Sequence, residues 1–173
     1  GYCSPVMFKH NNKDILVSML SKSIIGINPS DGKLLWRQAH PTDYGVNPNT
    51  PIYHKGTIIY FSGYGQGAGI LKLSEDGTSV KLTWENKKFD NQMGGAVLLG
   101  DNLYGSGHKS KDWHCLDVNA GKIIYSSGEL KQGCIISDGK MLYCYSENGK
   151  VSLVKPEADK FVVKGTVAIK EGK

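Results

Sequence analysis

The stretch Gly26-Ile27-Asn28-Pro29-Ser30-Asp31-Gly32-Lys33-Leu34-Leu35-Trp36 reads as an apolar strand, a tight turn and a second strand ending in Trp. Pro29 presets one backbone dihedral and Gly32 accepts a positive one, so the turn is written into the residues. The unit returns as Cys115-Leu116-Asp117-Val118-Asn119-Ala120-Gly121-Lys122-Ile123-Ile124-Tyr125, with the same length, the same Gly-Lys pair and an aromatic where Trp36 stands. Leu71-Lys72-Leu73-Ser74-Glu75-Asp76-Gly77 opens alike but reaches Trp84 three residues late, which predicts an insertion in that turn or strand. Leu153 to Val163 keeps the spacing without the Gly or the aromatic. Self-similarity at a fixed period decides the fold before any local reading does.

Each copy of the unit is preceded by two further apolar runs set between turn residues, so each repeat reads as four short strands. The repeats span about residues 4–37, 50–84, 95–126 and 133–167, and their terminal positions Trp36, Trp84, Tyr125 and Val163 lie 48, 41 and 38 residues apart. Four strands per unit at a spacing near 40 is the pattern of β-propeller blades. The expected fold is all-β: one segment of four blades, each of four antiparallel strands, as a partial or a small propeller. A β-sandwich has strands of suitable length but does not require an aromatic to return at the same place in each unit. No stretch of a dozen residues carries apolar positions at helical spacing.

The 173 residues are 39% hydrophobic and 21% charged, with 22 Gly against 6 Pro, a balance that suits many tight turns. No run approaches the ~20 apolar residues that span a bilayer as a helix. The net charge of +5 is scattered, with no Lys/Arg run longer than two. The densest basic region, around Lys160, Lys164, Lys170 and Lys173, lacks interleaved aromatics, so a nucleic-acid partner is not expected. Cys3, Cys115, Cys134 and Cys144 form neither a CxxC pair nor a zinc spacing. If Asp138-Gly139 makes a two-residue turn, Cys134 faces Tyr143 and Cys144 faces Gly133, which puts the two thiols on opposite faces of their sheet and out of disulfide reach. The chain opens at Gly1-Tyr2-Cys3 without Met or a signal-peptide pattern, as a processed protein or an excised segment would.

In a propeller the turns joining first to second and third to fourth strands lie on one face; the remaining connections lie on the other. Turns of the first kind are short here, whereas Gln38 to Asn49, Gly63 to Gly69, Glu85 to Gly94 and Gly107 to Trp113 make the other face the long-loop face. Binding residues belong on such loops, and the candidates are Tyr44, Asn47, Tyr64, Gln66, His108 and Trp113. His108 and Trp113, with Lys109, Lys111 and Asp112, suit an acidic or sugar ligand, or a loop whose Trp packs on its neighbour. The Gly63–Gly69 loop leads into a strand, so it lacks the helix N-terminus with which such loops bind phosphate. The 5 His are dispersed and predict no metal site.

The eleven-residue unit resembles the docking motif of the quinoprotein-like β-propellers, A-x-D-x-x-T-G-K-x-x-W. Gly26, Asn28, Gly32, Lys33 and Trp36 fit it with Gly26 for Ala, Asn28 for Asp and Asp31 for Thr; Cys115, Asp117, Gly121, Lys122 and Tyr125 also fit with three substitutions. Ser4-Pro5-Val6, Asn47-Pro48-Asn49-Thr50-Pro51, Leu103-Tyr104-Gly105 and Ser137-Asp138-Gly139-Lys140-Met141-Leu142 extend the likeness to secreted or periplasmic propellers with pyrroloquinoline-quinone-like repeats. The resemblance implies that Gly32, Trp36, Trp84, Gly121 and Tyr125 act as blade locks, the aromatics packing against the next blade. An indole buries about 150–250 Å², at most about 4–6 kcal/mol gross, so such a Trp needs no catalytic role.

Many members, the outer-membrane assembly lipoproteins among them, use the blades as a scaffold. The quinone-dependent alcohol and sugar dehydrogenases of the family hold pyrroloquinoline quinone with adjacent cysteines and calcium on Glu, Asn and Asp. No two cysteines are adjacent here. The resemblance therefore implies a non-enzymatic binding or scaffolding module of a periplasmic or secreted protein, a segment of a larger propeller without metal or cofactor. Its partner, a protein or a small polar ligand, would sit on the long-loop face. A fragment of a quinone-dependent dehydrogenase is the first alternative, and a carbohydrate-binding module resting on Trp113 and Tyr64 is the second. Four unclosed blades bare two apolar faces, which a small closed ring, a homodimer or further blades would cover.

Overall fold

The strands of the first repeat are β1 (Val6–His10), β2 (Lys13–Met19), β3 (Ser23–Ile27) and β4 (Leu34–Ala39), paired in that order into one antiparallel sheet. Three more sheets follow: β5 (Ile52–His54), β6 (Thr57–Ser62), β7 (Gly67–Leu73) and β8 (Val80–Asn86); β9 (Val97–Leu99), β10 (Asn102–Ser106), β11 (Trp113–Asp117) and β12 (Lys122–Ser127); β13 (Gly133–Ser137), β14 (Leu142–Ser146), β15 (Lys150–Pro156) and β16 (Phe161–Ala168). These are four propeller blades in a computed structural model that describes residues 2–169. Lys170 and Lys173 of the basic tail lie outside the described residues. Among those described, the single helical element is a 3₁₀ turn at Asp43–Gly45.

Each blade repeats one irregularity. The third and fourth strands slip register between Gly26 and Ile27, Ile70 and Leu71, Cys115 and Leu116, and Leu153 and Val154, a β-bulge that deepens the local twist. Aligned on this bulge, the residues paired just before it are Trp36, Trp84, Tyr125 and Gly165. The fourth terminal position is thus Gly165 and not Val163. Its hairpin runs to Pro156 opposite Phe161 and holds two more residues beyond the bulge than the hairpin around Gly121, so equal spacing along the chain falls short. The insertion before Trp84 lies in the strands: beyond the bulge β7 and β8 pair Leu71–Leu82, Lys72–Lys81 and Leu73–Val80, where β3 and β4 pair Ile27–Leu34 alone. The turn that follows is held by Asp76, which accepts hydrogen bonds from Ser74 Oγ, Thr78 N and Thr78 Oγ1 at 2.7, 3.1 and 2.7 Å. These bonds hold its carboxyl well below the usual carboxylate range.

The core lies between blades. Ile15, Val17, Met19, Ile24 and Trp36 of the first blade meet Ile58, Tyr60, Leu71 and Leu73 of the second. Ile59, Phe61 and Ile70 of the second meet Phe89, Leu103 and Leu116. Tyr104, Trp113 and Cys115 of the third meet Leu142, Cys144, Val154 and Phe161 of the fourth. The Trp84 indole lies over Gly121, whose Cβ would come within 2.5 Å of the ring, and its Nε1 donates to the Val118 carbonyl at 2.8 Å. Tyr125 Oη donates to the Glu157 carbonyl of the fourth blade at 2.9 Å. Trp36 instead covers Gly26 of its own blade, where a Cβ would stand 2.2 Å from the ring, and its buried Nε1 has no hydrogen-bond partner. The lengthened β7–β8 hairpin of the second blade reaches the first in another way: Asn11 Nδ2 and Lys13 Nζ donate to the Glu75 and Asp76 carbonyls at 2.9 and 3.2 Å. Gly32 sits at φ 71° with open space around its Cα.

Two expectations change. The β13–β14 connection holds four residues, since Ser137 pairs with Leu142; Cys134 therefore faces Tyr145 and Cys144 faces Ile135. The shift is by two, an even number, so the two thiols still occupy opposite faces, and all four cysteines are free. The four blades do not close into a small ring either: Met7 and Leu34 on the first and Ile136 and Val167 on the fourth are exposed.

Candidate functional site

Asp90 organises the long-loop face. It is 2% exposed, and its Oδ1 accepts the His108 N–H at 3.0 Å while Oδ2 accepts those of Gly65 and Lys109, both at 3.1 Å. One carboxylate thus joins the β6–β7 turn, the β8–β9 connection and the β10–β11 loop. Backbone donors aimed at a buried carboxylate are among the stronger protein hydrogen bonds. Asn49, also buried, donates to the Asn91 carbonyl at 2.8 Å and accepts from Gly95 N at 3.3 Å. Asn47 donates to the Leu20 carbonyl at 2.7 Å and accepts from Ser62 Oγ at 2.6 Å, and Ser62 Oγ meets His40 Nε2 at 2.9 Å. Burial lowers the His40 pKa to about 4 against an attraction from Glu85, so the ring is neutral at pH 7.

Above this frame stands an aromatic ladder. Tyr44, 86% exposed, meets Tyr64 edge-on with ring centroids 5.4 Å apart, and Tyr64 meets His108 at 5.0 Å. Gln92 Nε2 donates to Tyr64 Oη at 2.8 Å, and His108 Nδ1 accepts the Tyr64 N–H at 3.1 Å. Tyr44 and Tyr64 have φ of 63° and 59°, in the left-handed region that bulky side chains avoid. Residues held there persist where their surroundings over-determine them, and they concentrate at functional sites.

A cleft of about 120 Å³ opens beside His108, between Gln92, Met93, Gln132, Cys134 and Tyr145. Lys111 Nζ donates to Gln132 Oε1 at 2.6 Å and Gln132 Nε2 to Glu147 Oε1, a chain of charge-assisted bonds along one wall. The buried Ser146 Oγ in that wall has no partner.

Of the residues expected at the site, the structure brings together Tyr44, Tyr64 and His108. Asn47 is buried beneath them. Gln66 belongs to the β6–β7 turn, where its carbonyl accepts Lys87 Nζ at 3.0 Å. Trp113 begins β11 and is buried, its Nε1 donating to the Lys131 carbonyl at 2.8 Å. The Gly63–Gly69 segment shrinks to a four-residue turn, because Gly67 and Gly69 belong to β7. They are glycines for lack of room: a Cβ on Gly67 would stand 2.2 Å from the Asn86 carbonyl oxygen and one on Gly69 2.3 Å from Tyr60 Oη. Asp90, Gln92, Gln132 and Glu147 were not singled out by sequence, and Asn49 stood only within the Asn47–Pro51 run; Asp90 lies between Phe89 and Asn91, two residues that are also buried.

The residues present do not fit a quinone held with calcium. The four cysteines are dispersed, and among the described residues no three His, Cys, Asp or Glu side chains converge as metal ligands. No helix among them is long and apolar enough to cross a membrane.

The sequence matches no protein-family model and no curated protein. Among solved structures the chain is similar to BamB from Moraxella catarrhalis, with a TM-score of 0.70 and 12% identity over 98% of this chain and 51% of the other. The chain spans about half the length of that structure. At such identity the likeness is one of fold, and it agrees with the blade pairing above: these residues build a run of β-propeller blades.

Proposed function

We propose that this chain is a non-enzymatic binding and scaffolding module of a periplasmic or secreted protein, part of a larger propeller, that holds a protein partner on its long-loop face. The observation that carries the reading is the Tyr44–Tyr64–His108 ladder, fixed from below by the buried Asp90 carboxylate. Tyr supplies large, rigid contact area with few rotatable bonds, and a pre-ordered surface loses little entropy on binding. The fold likeness to BamB supports a propeller setting but carries no partner across. No observation favours the carbohydrate reading once Trp113 is in the core, and none favours the dehydrogenase.

The test is selection from a displayed random-peptide library against the wild-type chain, with the Tyr64→Ala/His108→Ala chain as comparison. Peptides that bind the wild type at least about tenfold more tightly, a difference near 1.4 kcal/mol, support the reading. Peptides that bind both equally place the contact elsewhere and sink it. Dye reduction with alcohols or sugars in the presence of quinone and calcium should stay at background; turnover would overturn the non-enzymatic reading.

A further inference from the structure

Every blade presents one cross-strand row of residues toward the blade after it. In the first the row is Val6–Val17–Gly26–Trp36, in the second Ile52–Ile59–Ile70–Trp84 and in the third Val97–Tyr104–Cys115–Tyr125. Each of these is packed against the next blade. The fourth blade carries the same row, Ile136–Tyr143–Leu153–Gly165, and no described residue covers it: Ile136 is 69% and Tyr143 37% exposed. Beside it runs a second uncharged row, Cys134–Tyr145–Val151–Val167.

Every blade also presents a row of a second type toward the blade before it. These are Tyr53–Ile58–Leu71–Leu82, Leu98–Leu103–Leu116–Ile123 and Ser137–Leu142–Val154–Val163 in the second, third and fourth. The first blade's row of this type is Met7–Leu16–Ile27–Leu34, apolar throughout, with Met7 64% and Leu34 53% exposed. The four described blades therefore present two bare faces of opposite type, the two types that pair at each of their internal junctions. A propeller with such faces either closes or finds a partner.

We infer that the occupant is a second copy of this chain: the fourth blade of each copy seats on the first blade of the other, and two such junctions close a ring of eight blades. The contact is head-to-tail, so it could run on as an open filament. The superposition on half of a longer propeller argues for closure, because the four blades already follow the course of that larger ring over 98% of their length.

The mass of the intact chain in solution, measured by light scattering in reductant over a dilution series, tests this directly. The expected result is twice the 18.9 kDa of one chain at micromolar concentration, falling to one on dilution. A single-chain mass at every concentration overturns the proposal, and so does a mass that climbs without limit. Tyr143→Glu and Leu34→Glu alter exposed positions on the two opposite faces; each alone should be monomeric, and their equimolar mixture should regain one junction and dimerise weakly. A dimer that survives Leu34→Glu uses another face and refutes the assignment. Cys134 gives a reading that needs no variant: it lies within the proposed junction, so maleimide labelling mapped to this residue should be slow in concentrated protein and fast in dilute. Equal rates at both concentrations overturn the junction.

Discussion

At the scale of single residues, polar side chains below the loops do more than the exposed aromatics. Asp90 pairs three backbone N–H groups; in Asp90→Ala that of His108 keeps the carbonyl of residue 90 at 3.1 Å, while those of Gly65 and Lys109 lose their acceptor, at about 1–3 kcal/mol for each group that water does not reach. Urea denaturation should show a loss in that range or above; a loss below ~0.5 kcal/mol would remove Asp90 from its organising place. His40 supplies a pH signature. Its folded pKa of about 4 lies below its ordinary 6.5, so the unfolded chain binds the proton more readily between those values. The stabilisation is complete above pH 6.5 and is lost as pH falls toward 4, at up to about 1.4 kcal/mol per unit. His114, whose pKa burial also lowers, adds to the same slope. In His40→Gln, which can still meet Ser62 Oγ, stability should fall less steeply over this window; an unchanged slope would mean that His40 does not titrate as its burial demands.

At the scale of elements, the two tryptophans should behave differently although they hold the same place in the repeat. Trp36→Ala should cost about 3–5 kcal/mol, as other buried large-to-small changes do. Trp36→Phe, however, gives up no hydrogen bond, because the Trp36 Nε1 has no partner, and relieves a buried donor. Trp84→Phe abandons the bond to Val118 and should be worse than Trp36→Phe by about 1 kcal/mol. Equal losses in thermal or denaturant melts would contradict that distinction. The bare lock at Gly165 offers the reverse change: a Cβ there meets nothing within 4 Å, so Gly165→Trp should fit. If a second copy seats on this face, the variant should dimerise about tenfold more tightly, some 1.4 kcal/mol. Strands were the legible part of these elements. β6 and β13 run Thr57–Ser62 and Gly133–Ser137 as their apolar patterns state, since alternation between Gly and Asp turns encodes them locally. Hairpin lengths were less legible, because Gly165 and the β13–β14 register depend on how many pairs form before the chain turns, and residue spacing alone does not carry that.

At the scale of the molecule, three junction cores hold four blades in series, and each blade touches its chain neighbours. The order of the blades was readable because the repeat is written into the sequence. The connectors of the long-loop face were readable as loops, and Tyr44, Tyr64 and His108, which they carry, lie ring against ring. Trp113 misled because a Trp at the edge of a loop looks the same in sequence whether it opens a strand or hangs from one. The cleft walls, Gln132 and Glu147 among them, come from loops of different blades. Only their arrangement in space brings them together.

The serial arrangement of the junctions has a consequence for the motions of the chain. Where each unit leans only on its neighbours, stability follows a nearest-neighbour sum, and units at the ends, with one interface instead of two, open first. Amide protons of β1–β4 and β13–β16 should therefore exchange with deuterium sooner than those of β5–β12 in the separated chain. Once both bare faces are covered the ends cease to be ends, and that gradient of protection should flatten.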